Sequence, residues 1–241
     1  MTGVQTCALP IFIPASDRTI LVQFGETISK NLHQQVFSFT RYLLDNYSPE
    51  ILNIHPAYNS VMVTIANDAS IKQVTEQLMA SISMVIDRGT LKSRDVEIPV
   101  LYNGMEGPDM SRVCEKTGLS TAEVIRRHSE PDYLVHFIGF SIGFPYLGGM
   151  DASISTVRLE TPRRSVPAGS IGIAGNQTGI YPKSSPGGWN IIGQTPLSIF
   201  NAENPVESSV KMGDKVRFRP INESLVVDQL TEVNRVIIDK M

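Results

Sequence analysis

The sequence predicts an α+β protein in two parts, an α/β domain over residues 13–92 and a β-barrel domain over residues 93–241. Three observations predict this. The first third of the chain alternates strand-like and helix-like hydrophobic periods. Eleven of the 18 glycines fall between Gly139 and Gly193, among short apolar runs and prolines where no helical period survives. A strand pattern returns late, at Val216–Phe218.

Residues 1–12 carry no Lys or Arg and no helical period, so they are read as a foreign or mis-called leader outside the fold, with a frayed natural terminus as the competing reading. Thr19–Phe24 is a β-rich run closed by Gly25. Leu32, Val36, Phe39 and Leu43 then recur at helical spacing and predict one buried stripe. Ile51–His55 and Val61–Ala66 read as strands around a turn at Pro56–Ser60. Ile71, Val74, Leu78, Ile82 and Val85 predict a second helix that stops near Gly89, and Val96–Leu101 a further strand. The order β-α-β-β-α-β is that of a split βαβ, ferredoxin-like unit.

Beyond it, Asp109 is placed to cap a short helix ending at Gly118. Ser120 and Glu123 form a capping box for another that runs to about Ser129, before Pro131. From Tyr133 onward β signals dominate, which predicts a closed or partly closed barrel with functional loops. Val226, Leu230, Val233 and Ile237 predict a last helix.

Composition narrows the function classes. The 241 residues are 41% hydrophobic and 19% charged with a net charge of −3, which leaves no electrostatic footprint for nucleic acid or an anionic membrane. The small basic cluster Arg126, Arg127 and His128 does not make the helical pair a DNA reader. No apolar run approaches the ~20 residues of a membrane span, and a soluble protein is expected. Two cysteines without a CxxC give neither a disulfide framework nor a cysteine zinc site, which fits a reducing cytoplasm.

The informative segment is Gly139–Pro196. It holds no His, no Cys and no Glu-x-x-His, so metal hydrolysis and thiol catalysis lack their parts, and no metal site is expected. Gln177, Thr178 and Tyr181 supply neutral donors and acceptors, and Gly187, Gly188 and Trp189 shape an apolar wall. Arg163 and Arg164, beside Pro162, suit a carboxylate or a phosphate. Phe140, Phe144, Tyr146 and His128 read as pocket-lining or partner-facing, with core packing as the competing reading. No general base is evident, so no residue is assigned as catalytic. The residues alone describe a binding surface for a small polar molecule, or an incomplete active site.

The run GNQTGIYPKSSPGGWNIIGQTP at 175–196 is similar to the signature of the allophanate hydrolase subunit 1 family, which includes the 5-oxoprolinase B subunit and Kip-type kinase inhibitors. The resemblance extends from DRTILVQFG at Asp17, through TGLSTAEVIRRHSEPDY at Thr117–Tyr133, to GDKVRFRPI at Gly213–Ile221. It implies a cyclophilin-like barrel after the small α/β domain. It also implies two partners: the homologous C subunit, which completes a shared cleft, and an A subunit. The implied reaction opens 5-oxo-L-proline to L-glutamate with ATP hydrolysis. ATP is used by the complex, and this chain has no G-x-x-x-x-G-K-[ST] to bind it. The chain departs from the family pattern at Ile142-Gly143, where Pro-Gly is usual, and at Gln194-Thr195, where Arg-Thr is common. Two other functions stay open on the same residues: inhibition of a sensor histidine kinase, and half of a urea amidolyase-type carboxyltransferase.

Overall fold

A computed structural model describes residues 10–46, 48–86, 93–102 and 104–222. The chain divides into two compact units between Lys92 and Ser93. The predicted helix at 226–237 lies outside the described residues.

The first unit contains β1 (Ile11–Ser16), β2 (Thr19–Gln23), α1 (Lys30–Asp45), β3 (Ile51–Pro56), β4 (Ser60–Ile65) and α2 (Ile71–Ile86). Its sheet is antiparallel in the order β1-β2-β4-β3. Strand alternation puts Ile20, Val22, Val61, Val63 and Ile65 on one buried face, which both helices cover. In α1 the predicted stripe is buried at Val36, Phe39 and Leu43, with Phe39 edge-on to Phe24. Ser29 caps the helix by accepting from the Leu32 backbone N–H at 3.2 Å. Val74, Leu78 and Ile82 do the same packing work in α2.

The order of elements departs from a split βαβ unit at both ends. The expected final strand is β5 (Asp95–Tyr102), and it belongs to the barrel. The edge position beside β2 is filled by β1, which begins at Ile11, inside the stretch set aside as a leader. A two-residue turn at Asp17–Arg18 joins β1 to β2, so this hairpin closes at far lower loop entropy than a strand returning from residue 95.

The second unit is built on a closed barrel. It adds α3 (Met110–Thr117), α4 (Thr121–Ser129), β6 (Tyr133–Ile138), β7 (Pro145–Gly148), β8 (Arg163–Val166), β9 (Ser170–Ala174), β10 (Gln177–Ile180), β11 (Ser185–Gly187), β12 (Asn190–Gln194) and β13 (Lys215–Pro220). The barrel runs β10-β7-β6-β13-β5-β12-β9, and the β9–β10 hairpin closes it. β5 and β13 pair in parallel from Asp95–Lys215 to Val100–Pro220, so the two ends of the unit are stitched together. Arg94 adds a bidentate pair to the buried Asp214 carboxylate, with its Nε at 2.9 Å. A separate ribbon pairs β8 with β11. Among the described residues, no helix is long and apolar enough to cross a membrane.

Both short helices form where the sequence places them. Gly118 ends α3 at φ +72°, the left-handed conformation that glycine adopts freely. Ser120 caps α4 through the Glu123 backbone N–H at 3.3 Å. Asp109 stands at the N-terminus of α3 but makes no side-chain cap bond. Its carboxylate has been recruited elsewhere.

Candidate functional site

The barrel strands carry two apolar faces, and the difference between them organises the site. On β7, β10 and β12 the alternation sends Leu147, Ile180 and Ile192 into the barrel core, and Tyr146, Tyr181 and Ile191 to a second cluster outside it. That second cluster is dominated by rings. Phe144 meets Tyr146 and Tyr181 at 5.2 Å and Trp189 at 5.4 Å, all edge-on. Phe137 stacks on Tyr146 at 4.6 Å, and Phe140 is edge-on to Phe144 at 5.7 Å.

Glycines seat this layer. A Cβ on Gly179 would stand 2.8 Å from the Phe144 ring, and one on Gly172 would stand 2.9 Å from Trp189 Cβ. On the neighbouring ribbon, a Cβ at Gly187 would reach within 2.3 Å of the Tyr181 hydroxyl. These glycines allow aromatic rings to lie directly on backbone.

The polar groups of the layer gather around Tyr181. Its hydroxyl accepts from the backbone N–H of Trp189 and feels the charge of Arg163; burial outweighs both and pushes its pKa up. Arg163 stands opposite Gly187 across the ribbon. Its Nη2 donates to Asp109 Oδ1 at 2.6 Å, while Asp109 Oδ2 accepts from the Ile191 backbone N–H at 2.6 Å. Asp109 is only 6% exposed, so α3, β8 and β12 are tied through one carboxylate. Arg163 Nη1 is buried and has no hydrogen-bond partner. A buried guanidinium nitrogen without an acceptor is a donor left available for an anionic group.

Of the sequence-predicted site residues, Arg163, Tyr181, Gly187, Trp189, Phe144, Tyr146 and Phe140 come together in or at the rim of this layer. Gly188 adjoins it, with Leu159 donating to its carbonyl at 2.7 Å. Arg164 is exposed on β8. Gln177 is half-buried at the start of β10, facing the same way as Tyr181 by alternation.

Thr178 and His128 lie elsewhere, inside the barrel, and both are fully buried. Thr178 Oγ1 donates to the Gly172 carbonyl at 3.0 Å and therefore accepts from His128 Nε2–H at 2.9 Å. His128 Nδ1 is then the acceptor of the Tyr102 hydroxyl at 2.8 Å. The ring stacks on Phe218 at 4.6 Å. Burial drops its pKa to about 3, and burial pushes the Tyr102 hydroxyl well above its ordinary value. This chain holds a neutral imidazole in one tautomer within the core.

A cavity of about 420 Å³ opens beside the layer, lined among others by Leu101, Glu106, Ala168, Gln194, Thr195 and Ser198. Gln194 donates to the Ala168 carbonyl at 2.7 Å. None of the residues predicted to bind substrate lines this cavity, but Gln194, where an arginine is common in the family pattern, and Pro182, which follows Tyr181, do. Among the described residues, no three His, Cys, Asp or Glu side chains group as metal ligands.

Asp109 is the residue that sequence reasoning places in the wrong task. As a helix cap it obeys a local rule, and no local signal ties it to Arg163, 54 residues away.

Comparison with known proteins gives the family. The profile described as "Carboxyltransferase domain, subdomain C and D" matches residues 10–209. The chain belongs to this family. The protein named as the B subunit of 5-oxoprolinase in Bacillus subtilis is 37% identical over 221 residues, spanning 86% of this chain and 91% of its own length. Its namesake in Haemophilus influenzae is also 37% identical, over 86% of this chain and 95% of its own. Solved structures share the fold. TTHA0988 superposes with a TM-score of 0.75 at 31% identity over 85% of this chain, and this chain spans only 40% of that one. Kluyveromyces lactis urea carboxylase superposes at 0.72 with 18% identity; 92% of this chain matches 23% of that one, a likeness of fold alone. The fold thus occurs within much longer chains as well.

Proposed function

We propose that this chain is the B subunit of an ATP-dependent 5-oxoprolinase, acting with homologues of the C and A subunits to convert 5-oxo-L-proline and water into L-glutamate. The observation that carries the proposal is its match to proteins of that name along nine-tenths of their length. The site chemistry is compatible. We assign the substrate carboxylate to Arg163, held by Asp109 with Nη1 free to donate, and the apolar ring edge to Trp189 and Tyr146.

An unstrained five-membered amide is a poor electrophile, and ATP hydrolysis drives water addition across its C–N bond. The aromatic layer offers no residue suited to activating that water or that carbonyl, so those steps are assigned to the partner chains. In this reading the chain works in a reducing cytoplasm and contributes a binding wall.

The test is reconstitution. The purified chain is mixed with its A-subunit and C-subunit homologues, and 5-oxoproline-dependent ATP hydrolysis and glutamate release are followed with each component omitted in turn. Activity that requires all three supports the assignment. A folded three-part mixture without activity overturns it, and leaves kinase inhibition or another amide substrate as the reading to pursue.

A further inference from the structure

The cavity beside the aromatic layer is framed by the end of the barrel, and its charge is the reverse of the layer's. It lies where β12 finishes between β9 and β5, with Gln194 opposite Ser170 on one side and Leu101 on the other. Gly169 stands in its wall at φ +80°. A Cβ there would be 2.3 Å from the Thr195 carbonyl, and the Thr195 N–H donates to the Gly169 carbonyl at 2.9 Å. The Gln194 side chain ties the same two segments, donating from Nε2 to the Ala168 carbonyl at 2.7 Å. The volume of about 420 Å³ enclosed in this way is of the size that small ligands occupy.

The walls carry one sign of charge. Among the described residues, Glu106 is the single charged side chain of the lining; it is half-buried, and its carboxylate has neither a hydrogen bond nor an ion pair there. The other polar side chains have turned protons into the wall. Gln194 gives an N–H to Ala168, and Ser198 Oγ donates to the Phe200 carbonyl at 3.2 Å, which leaves Gln194 Oε1 and the Ser198 oxygen as acceptors. Thr195 Oγ1 accepts from the Leu197 N–H at 3.2 Å and keeps one proton to give. Leu101, Ala168, Pro182, Pro196 and Leu197 supply apolar surface. A second cavity meets this one at Ser198 and is lined by Glu203 and Glu207 with no Lys, Arg or His, so the field beside it has the same sign. An unpaired carboxylate among acceptors and hydrocarbon attracts a donor-rich cation and repels an anion. We infer that this cavity binds a small organic cation, an alkylammonium head on a short hydrocarbon stem. The ammonium donates to Glu106 and to Gln194 Oε1, and the stem lies against Leu101, Pro182 and Leu197. The site is separate from the aromatic layer, where Arg163 selects the opposite charge, and it does not depend on the subunit reading proposed above.

The test titrates the full chain with butylammonium, and with butyramide and butyrate as neutral and anionic counterparts of the same carbon count, at low ionic strength in a calorimeter. Butylammonium is expected to bind at least roughly tenfold more tightly than butyramide, and butyrate not to bind. Glu106→Gln keeps the shape and removes the charge. It weakens butylammonium roughly tenfold or more and leaves Tm unchanged, because the carboxylate has no partner in the fold to lose. Gln194→Arg sets a guanidinium in the wall beside Glu106 and abolishes butylammonium binding. A chain that shows no saturable binding of butylammonium overturns the inference, as does equal affinity for butyrate. Binding that survives both substitutions overturns it too, since the cation would then sit elsewhere on a chain of net charge −3. None of these outcomes bears on the subunit reading, which stands or falls on reconstituted activity.

Discussion

The buried His128 should make the barrel unit lose stability as the pH falls, by an amount that its surroundings set. In the unfolded chain its pKa is near 6.5, and in the fold burial lowers it to about 3. Between those values the unfolded state binds a proton that the folded state refuses. Stability is therefore full above the unfolded value and falls steadily as the pH drops toward the folded one. Linkage puts the difference between pH 7.5 and pH 5 at about 2 kcal/mol from this residue alone. The tautomer explains why the fold refuses the proton. Nδ1 already accepts from Tyr102, and Nε2 already donates to Thr178, whose own proton goes to Gly172. Protonation of Nδ1 would leave two donors facing each other in a dry core. The assay is urea unfolding across this pH range, comparing the unaltered protein with His128→Gln, which keeps a side-chain N–H but does not titrate. The variant is less stable near neutrality, and the gap narrows by about 2 kcal/mol at pH 5. Parallel pH profiles for the two proteins would refute the reasoning, as would an imidazole NMR titration near 6.5 in the folded state.

Two further outcomes follow from the contacts of the aromatic layer. Gly179→Ala puts a methyl group 2.8 Å from the Phe144 ring and 2.9 Å from the Pro145 carbonyl of the adjacent strand, so it should cost about 2 kcal/mol in chemical denaturation; unchanged stability would show that the layer is not seated on this glycine. Asp109→Asn weakens the tie between α3, β8 and β12 and frees Arg163, so it should cost about 2 kcal/mol and raise KM for 5-oxoproline in the reconstituted complex. A loss of stability with KM unchanged would make Asp109 purely structural.

Much of the fold is legible in the sequence because its signals are local. The stripe of α1, the capping of α4 and the left-handed stop at Gly118 each depend on residues within a few positions of one another. The glycine-rich segment likewise supplies the outer aromatic layer, and Arg163, Tyr181 and Trp189 come together there. What sequence cannot supply is long-range. Strand β5 reads equally well as the end of the first sheet, because its pairing with β13 spans 120 residues from Asp95 to Lys215. Thr178 looks like a neighbour of Gln177 in one binding run, but strand alternation turns it inward to His128, 50 residues away. The glycines mislead in an instructive way. Gly143, Gly149, Gly169 and Gly175 do adopt positive φ, but Gly172, Gly179 and Gly187 are ordinary strand backbone whose missing Cβ makes room for a ring. Only the pairing of strands reveals which ring lies on which glycine.

In the proposed reading, ligand is held on the outer aromatic layer and not inside the barrel. The most direct test measures KM for 5-oxoproline in the reconstituted complex for Arg163→Lys and Trp189→Ala beside Thr178→Val. Lysine keeps the charge but loses the fork that donates to Asp109 and to the substrate together. The expected result is a KM raised roughly tenfold or more for the two outer variants, as when one charged or packed contact of about 1.4 kcal/mol is lost. For Thr178→Val the expected result is lower stability with KM unchanged. A raised KM for Thr178→Val, with Arg163→Lys and Trp189→Ala behaving normally, would contradict it.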